Sequence, residues 1–298
     1  MTPASPSQSA FGARDVAIIV MMNLFWGLNI IAVKESVNHI APLTAGFLRQ
    51  VIVFAICAPA LRIVPGRMVT LTMLGMLTGG LFYLVINLSL ALATNVSALA
   101  IGSQLGVPFA LILGVVFLGE RIHWPRLIGI VLSLAGVVVL VFDPAAAREV
   151  PALALTALAS FIWAVGSLLQ RQLRGVAVLT IYAWIGLWGI IVVGLAACWF
   201  EPNAMSTIGD LRLAPLGWVA FSAIGSTLGG HGAMAWLLQR HPVAMVTPMT
   251  LAAPVISVFT AAWYFGTPIT MVMLIGGSMA MAGVAIVTIR SARAGHRA

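Results

Sequence analysis

Polar residues are sparse along this chain, and the intervals between them define its architecture. Ten apolar runs emerge, at roughly 16–36, 44–62, 69–92, 96–118, 125–142, 151–170, 179–200, 215–238, 243–265 and 269–289. Each approaches the length of about 20 residues that a helix needs to cross a hydrocarbon core of about 30 Å. Turn-forming clusters separate the runs, among them Pro65-Gly66, Thr94-Asn95, Asp143-Pro144, Glu201-Pro202-Asn203, Arg240-His241-Pro242 and Gly266-Thr267-Pro268. None of these connectors is long enough to hold a soluble domain. The pattern predicts an all-α integral membrane protein of ten transmembrane helices.

The two halves of the chain repeat. Leu127-Ile128-Gly129 and Ala135-Gly136-Val137 return 147 positions later as Leu274-Ile275-Gly276 and Ala282-Gly283-Val284. Ala98, Leu105 and Pro108 are answered at offset 146 by Ala244, Leu251 and Pro254, and Trp26 is answered by Trp163. The predicted division is a disordered, Ser/Pro/Ala-rich cytoplasmic segment over 1–15, five-helix repeats over 16–148 and 149–289, and a basic cytoplasmic tail over 290–298. Five crossings per half make the second repeat enter the membrane from the side opposite the first. The halves are then expected as inverted repeats, the arrangement that underlies alternating access in many transporters. No small-residue cleavage site follows a short apolar core near the N-terminus, so the first run is expected as a retained helix.

Composition reinforces the membrane reading. The chain is 61% hydrophobic and 7% charged, against about 25% charged in an average soluble domain. The net charge of +8 is dispersed singly and in pairs over short loops, which suits membrane orientation and not nucleic-acid binding. With the N-terminus inside, eleven Lys/Arg fall on the cytoplasmic side and four (Lys34, Arg49, Arg148 and Arg212) on the other. Both termini are therefore expected to be cytoplasmic, in a multi-pass protein of the cell inner membrane. Cys57 and Cys198 lie inside apolar runs, where packing is the simpler role.

Inside a bilayer a polar side chain needs a partner or a water-filled cavity, so polar stripes show where a lumen lies. Such stripes run along the first, third, fourth, sixth, eighth and ninth spans. They nominate Trp26, Asn29, Tyr83, Asn87, Gln104, Trp163, Ser167, His231 and Thr250 as substrate-binding residues. Each also has a structural reading: the serine and threonine as helix-packing contacts, the asparagines as interhelical hydrogen bonds, His231 as a satisfied core group. His231 reads as the only ionisable residue deep in a span. Lys34 and Arg49 lie nearer the outer ends of the first two spans, where they could attract a carboxylate, although reaching out to the interface is the favoured reading for long basic side chains. No span carries a mid-depth Asp or Glu, which favours facilitated or weakly coupled transport and leaves His231 as the remaining candidate for a proton. Zinc-protease, paired-aspartate and phosphate-loop motifs are missing, so no catalytic residue, metal site or cofactor is expected.

A run from Pro108 to Phe117-Leu118-Gly119-Glu120-Arg121, then an apolar helix with Gly129 and Ala135-Gly136-Val137, resembles the drug/metabolite transporter superfamily, EamA type. Phe25-Trp26-Gly27 in the first span fits the same pattern. The resemblance covers both halves, although Phe265-Gly266-Thr267-Pro268 replaces the acidic turn in the second. It implies an exporter of small metabolites, with a layout most like the aromatic amino acid exporters. Aromatic walls at Trp26, Tyr83 and Trp163 suit an apolar side chain, and the amides and His231 suit zwitterionic ends. The expected partners are thus amino acids and the lipid bilayer, with no nucleic acid and no required oligomer. Export of other amphipathic metabolites or drugs is the alternative within transport; a membrane enzyme or scaffold is the alternative outside it.

Overall fold

The computed structural model describes residues 11–118, 124–143, 147–238, 240–241 and 243–294. The Gly119-Glu120-Arg121 turn, most of the N-terminal segment and the end of the basic tail lie outside these residues. Every regular element among the described residues is helical. In chain order the main helices are α1 (Ala13–His39), α2 (Pro42–Cys57), α3 (Met68–Leu92), α4 (Val96–Phe117) and α5 (Trp124–Val141). They continue with α6 (Val150–Arg171), α7 (Val178–Phe200), α8 (Leu213–Leu238), α9 (Ala252–Phe265) and α10 (Met271–Ala294). Eight of these are long and apolar enough to cross a membrane; α5 and α9 supply the shorter apolar stretches Leu127–Leu140 and Ala252–Phe265. The chain is a multi-pass membrane protein.

Helix ends obey the rule that terminal N–H and C=O groups must find partners. The Glu149 carboxylate accepts from the backbone N–H groups of Thr94 and Asn95 and from the Thr94 hydroxyl, closing the N-terminus of α4. Glu201 does the same for α2, accepting from Leu43 N–H at 3.0 Å and Thr44 N–H at 2.8 Å. At the opposite pole, Lys34 Nζ donates to the carbonyls of Leu90 (2.9 Å) and Ala93 (2.7 Å) at the end of α3. Each charge complements the dipole of the helix end it closes. Lys34 is thus buried in the bundle and does not reach the interface, because those two buried carbonyls hold it.

Several boundaries differ from expectation by a few residues, the expected 243–265 span is broken at 250–251, and two of the shifts are consequential. The first helix begins at Ala13, with Gly12 N–H bonded to Asp15 Oδ2 at 2.8 Å, so residues 13–15 belong to α1. The second stops at Cys57, where the short turn Ala58–Ala60 carries Pro59. Residue 49 therefore falls in the middle of α2.

Irregular backbone is concentrated in four places. Pro254 lacks an N–H and its ring opposes the carbonyl four residues earlier; the chain breaks at Thr250-Leu251, between Val243–Met249 and α9. Pro108 acts likewise on α4, where Ser103–Leu105 tightens into a 3-10 turn. In addition, α3 widens to a π-helix over Gly75–Leu81, and α8 does so over Phe221–Gly230.

The repeated glycines form a contact. Helices α5 and α10 pack along their length, with Gly129 against Gly283 and Gly136 against Gly276. A methyl group on Gly283 would stand 2.5 Å from the Gly129 carbonyl oxygen, and one on Gly276 would stand 2.6 Å from that of Gly136. Only a hydrogen fits there. Gly136→Val is expected to lower the detergent melting temperature by about 5 °C, since overpacking costs about 1–3 kcal/mol. Gly217→Ala, where the added carbon meets no atom within 4 Å, is the matched control and should leave it unchanged.

Candidate functional site

The helices that carry polar stripes enclose a cavity of about 290 Å³. Its walls come from the second halves of α1 and α3, the first half of α4, and the middles of α2, α6, α8 and α9. Five of the nine nominated residues meet there: Trp26, Asn29, Tyr83, Trp163 and His231.

An aromatic cluster organises the chamber. The His231 ring lies 5.2 Å from Trp26, 5.5 Å from Tyr182 and 6.2 Å from Trp163, centroid to centroid. Trp163 is 37% exposed, lines the chamber and lies 5.4 Å from the Phe82 ring, centroid to centroid. Trp26 is held by a bond from its Nε1 to the Ser226 carbonyl at 3.2 Å. That approach requires Gly230, since a methyl there would stand 2.7 Å from Trp26 Cδ1. Asn29 Oδ1 accepts from the Ser222 hydroxyl at 2.7 Å. Polar partners for both residues therefore come from the π-helical stretch of α8.

Arg49 is the residue that sequence reasoning misplaced. It does not snorkel. Its side chain is 6% exposed and lines the cavity, so His231 is not alone as a deep ionisable group. The guanidinium sits 4.1 Å above the Tyr83 ring, and Nη2 donates to the Ser222 carbonyl (3.2 Å) and to the Thr227 hydroxyl. Among the described residues, no Asp or Glu lines the cavity. The early end of α2 at Pro59 was the available signal, because it moves residue 49 from a helix end to its centre.

Four nominated residues lie elsewhere. Asn87 turns to α2 and donates from Nδ2 to the Pro42 carbonyl at 3.0 Å, filling the space above Gly46. Gln104 faces a separate apolar groove between α4, α9 and α10. Neighbouring helical residues point about 100° apart, and it is Ser103 that looks into the cavity. Ser167 lies one turn beyond Trp163 and its hydroxyl bonds back to the Ala164 carbonyl at 2.7 Å. Thr250 occupies the break before α9, where its carbonyl accepts from Ala253 N–H at 3.2 Å.

Beyond the cavity, towards the other end of the bundle, a void of about 20 Å³ is lined by Gln50, Thr78, Gln170 and Thr227 among others. That is room for about one water molecule. The void shares Tyr83, Trp163 and His231 with the larger cavity.

Comparison with known proteins fits this geometry. Residues 15–142 and 150–289 each match the EamA-like transporter family. This chain belongs to that family. Two similar proteins bear the name "Probable amino-acid metabolite efflux pump". One, from Escherichia coli, is 28% identical over 291 residues, covering 92% of this chain and 94% of its own length. The other, from Salmonella typhimurium, is 27% identical over 289 residues with the same coverage. A solved crystal structure has the same fold, with a TM-score of 0.63 and 20% identity over 95% of this chain and 99% of that one. EamA membership makes the protein a transporter, with a small-molecule substrate and a membrane as its surroundings.

The placement of Asn87 separates structure from binding. Interhelical hydrogen bonds in membranes contribute about 0.6 kcal/mol on average. Asn87→Ala should therefore lower the melting temperature by about 2 °C while leaving the transport KM within twofold of wild type, read by thermal unfolding and proteoliposome flux.

Proposed function

We propose that the protein exports amino acids, chiefly aromatic and other apolar ones, by alternating access through the aromatic cavity. The observation that carries this reading is the chamber itself. Rings from α1, α3 and α6 line it, a buried cation opens into it, and among the described residues no carboxylate does. An aromatic side chain stacks on Trp26, Tyr83 and Trp163, while Asn29 and His231 bond the polar end. The names of the relatives from Escherichia coli and Salmonella typhimurium point the same way.

In this proposal α5 and α9 also cross the membrane, giving ten spans in two inverted repeats. The packing supports that symmetry. Gly129 and Gly136 meet the repeat counterparts of one another, as a two-fold axis requires. Helix α1 packs on α9 as its counterpart α6 packs on α4, and α1 meets α8 as α6 meets α3. The two π-helical stretches fall on the paired helices α3 and α8. An inner-membrane location with both termini cytoplasmic follows from the Lys/Arg bias, and reporter fusions at each terminus test it.

Counterflow of radiolabelled phenylalanine into proteoliposomes tests the function. Saturable flux is expected, and none for any amino acid would overturn the proposal. Trp163→Ala and Tyr83→Ala should each raise KM by about 2- to 10-fold, since an aromatic pair contributes about 0.5–1.5 kcal/mol. Gln104→Ala and Thr250→Ala should stay within twofold of wild type; equal effects from all four would remove the cavity from the pathway.

A further inference from the structure

We propose that Arg49 is the group that docks the substrate's carboxylate, so that the cavity accepts zwitterions and organic anions and rejects amines of the same shape. This deepens the reading of the cavity as the transport site and rests on it. A cation at mid-membrane is costly unless partnered. Arg49 occupies the eighth position of a sixteen-residue helix and is 6% exposed. The partners found for it are neutral: the Ser222 carbonyl, the Thr227 hydroxyl and the Tyr83 ring face. Its Nε is buried and has no acceptor. No Asp or Glu among the described residues pairs with it or lines the chamber it faces.

Five N–H donors in a planar fork match a carboxylate, which they bind through two parallel charge-assisted hydrogen bonds. An incoming carboxylate would supply the missing countercharge in a site of low dielectric, where Coulomb attraction is strong. A ligand bearing only an ammonium would bring a second positive charge to the same site. An α-ammonium carried alongside the carboxylate has its own acceptors in the chamber, Asn29 Oδ1 and the faces of Trp26 and Trp163, where cation–π attraction operates within about 6 Å. The sequence also departs from what a cation exporter needs, since that binding mode calls for an intramembrane acid.

Arg49 also joins two helices. Its bonds to Ser222 and Thr227 tie α2 to the π-helical stretch of α8. A carboxylate that engages the guanidinium competes for the donors that hold those two residues.

Matched ligands test the proposal on the unmodified protein. Purified full-length transporter in proteoliposomes is given radiolabelled phenylalanine, with phenylalanine, phenylalaninamide, phenethylamine and 3-phenylpropionate as competitors. Phenylalanine and 3-phenylpropionate are expected to compete. The amide and the amine should be at least about tenfold weaker, equivalent to about 1.4 kcal/mol. Arg49→Gln should abolish that preference and Arg49→Lys should keep part of it, because an ammonium is a point charge without the fork. Equal competition by acid and amide in the wild type would overturn the proposal without any variant having to fold, and so would a preference that survives in a folded Arg49→Gln protein. Saturable flux without such a preference sinks this inference alone. Absence of saturable flux sinks the exporter reading with it.

Discussion

Hydrocarbon offers no hydrogen-bonding partner to a peptide group, and the rest of this structure depends on how the chain meets that constraint. Most of the backbone answers by remaining helical. Where helices end inside the bundle, a charge is brought to them: Glu149 to α4, Glu201 to α2, Lys34 to the end of α3. Three of the chain's few charged residues are thus committed to closing helix ends. A search for function among the charges must set these aside first.

The same constraint locates the site. Backbone that leaves regular geometry inside a membrane persists where it borders a cavity or is buried in protein. The tightened turn of α4 and the π-helical part of α8 both contribute cavity residues, Ser103 and Ser226. The break before α9 leads, two turns later, to Ser257, whose hydroxyl ties back to the Gly27 carbonyl beside Trp26 at 3.0 Å. Against this irregular set stand α5 and α10, packed so closely through Gly129, Gly136, Gly276 and Gly283 that neither admits a side chain between them.

Much of this was legible in the sequence. Apolar runs gave the helices, the 147-residue echo marked the glycines at which α5 and α10 meet, and polar stripes selected six of the helices that line the cavity. What failed was rotation and depth. A stripe drawn at steps of three and four cannot tell a cavity face from the flank beside it, and Asn87 lies on such a flank, one position along from Ile86 in the wall. Gln104 was displaced by a turn whose tightening depends on Pro108 and on tertiary packing together. Arg49 was misjudged because an apolar run does not show where a helix stops; Pro59 ends α2 while the hydrophobic residues continue.

Arg49 gives the chamber a direction. Trp26 and Trp163 occupy corresponding places in the two halves, and both approach the His231 ring. A chamber built from such pairs alone would accept an elongated ligand either way round. Helix α7, the second main helix of the second family match as α2 is of the first, carries no lysine or arginine between Val178 and Phe200. One guanidinium without a counterpart in α7 therefore makes the two sides of the chamber electrostatically unlike.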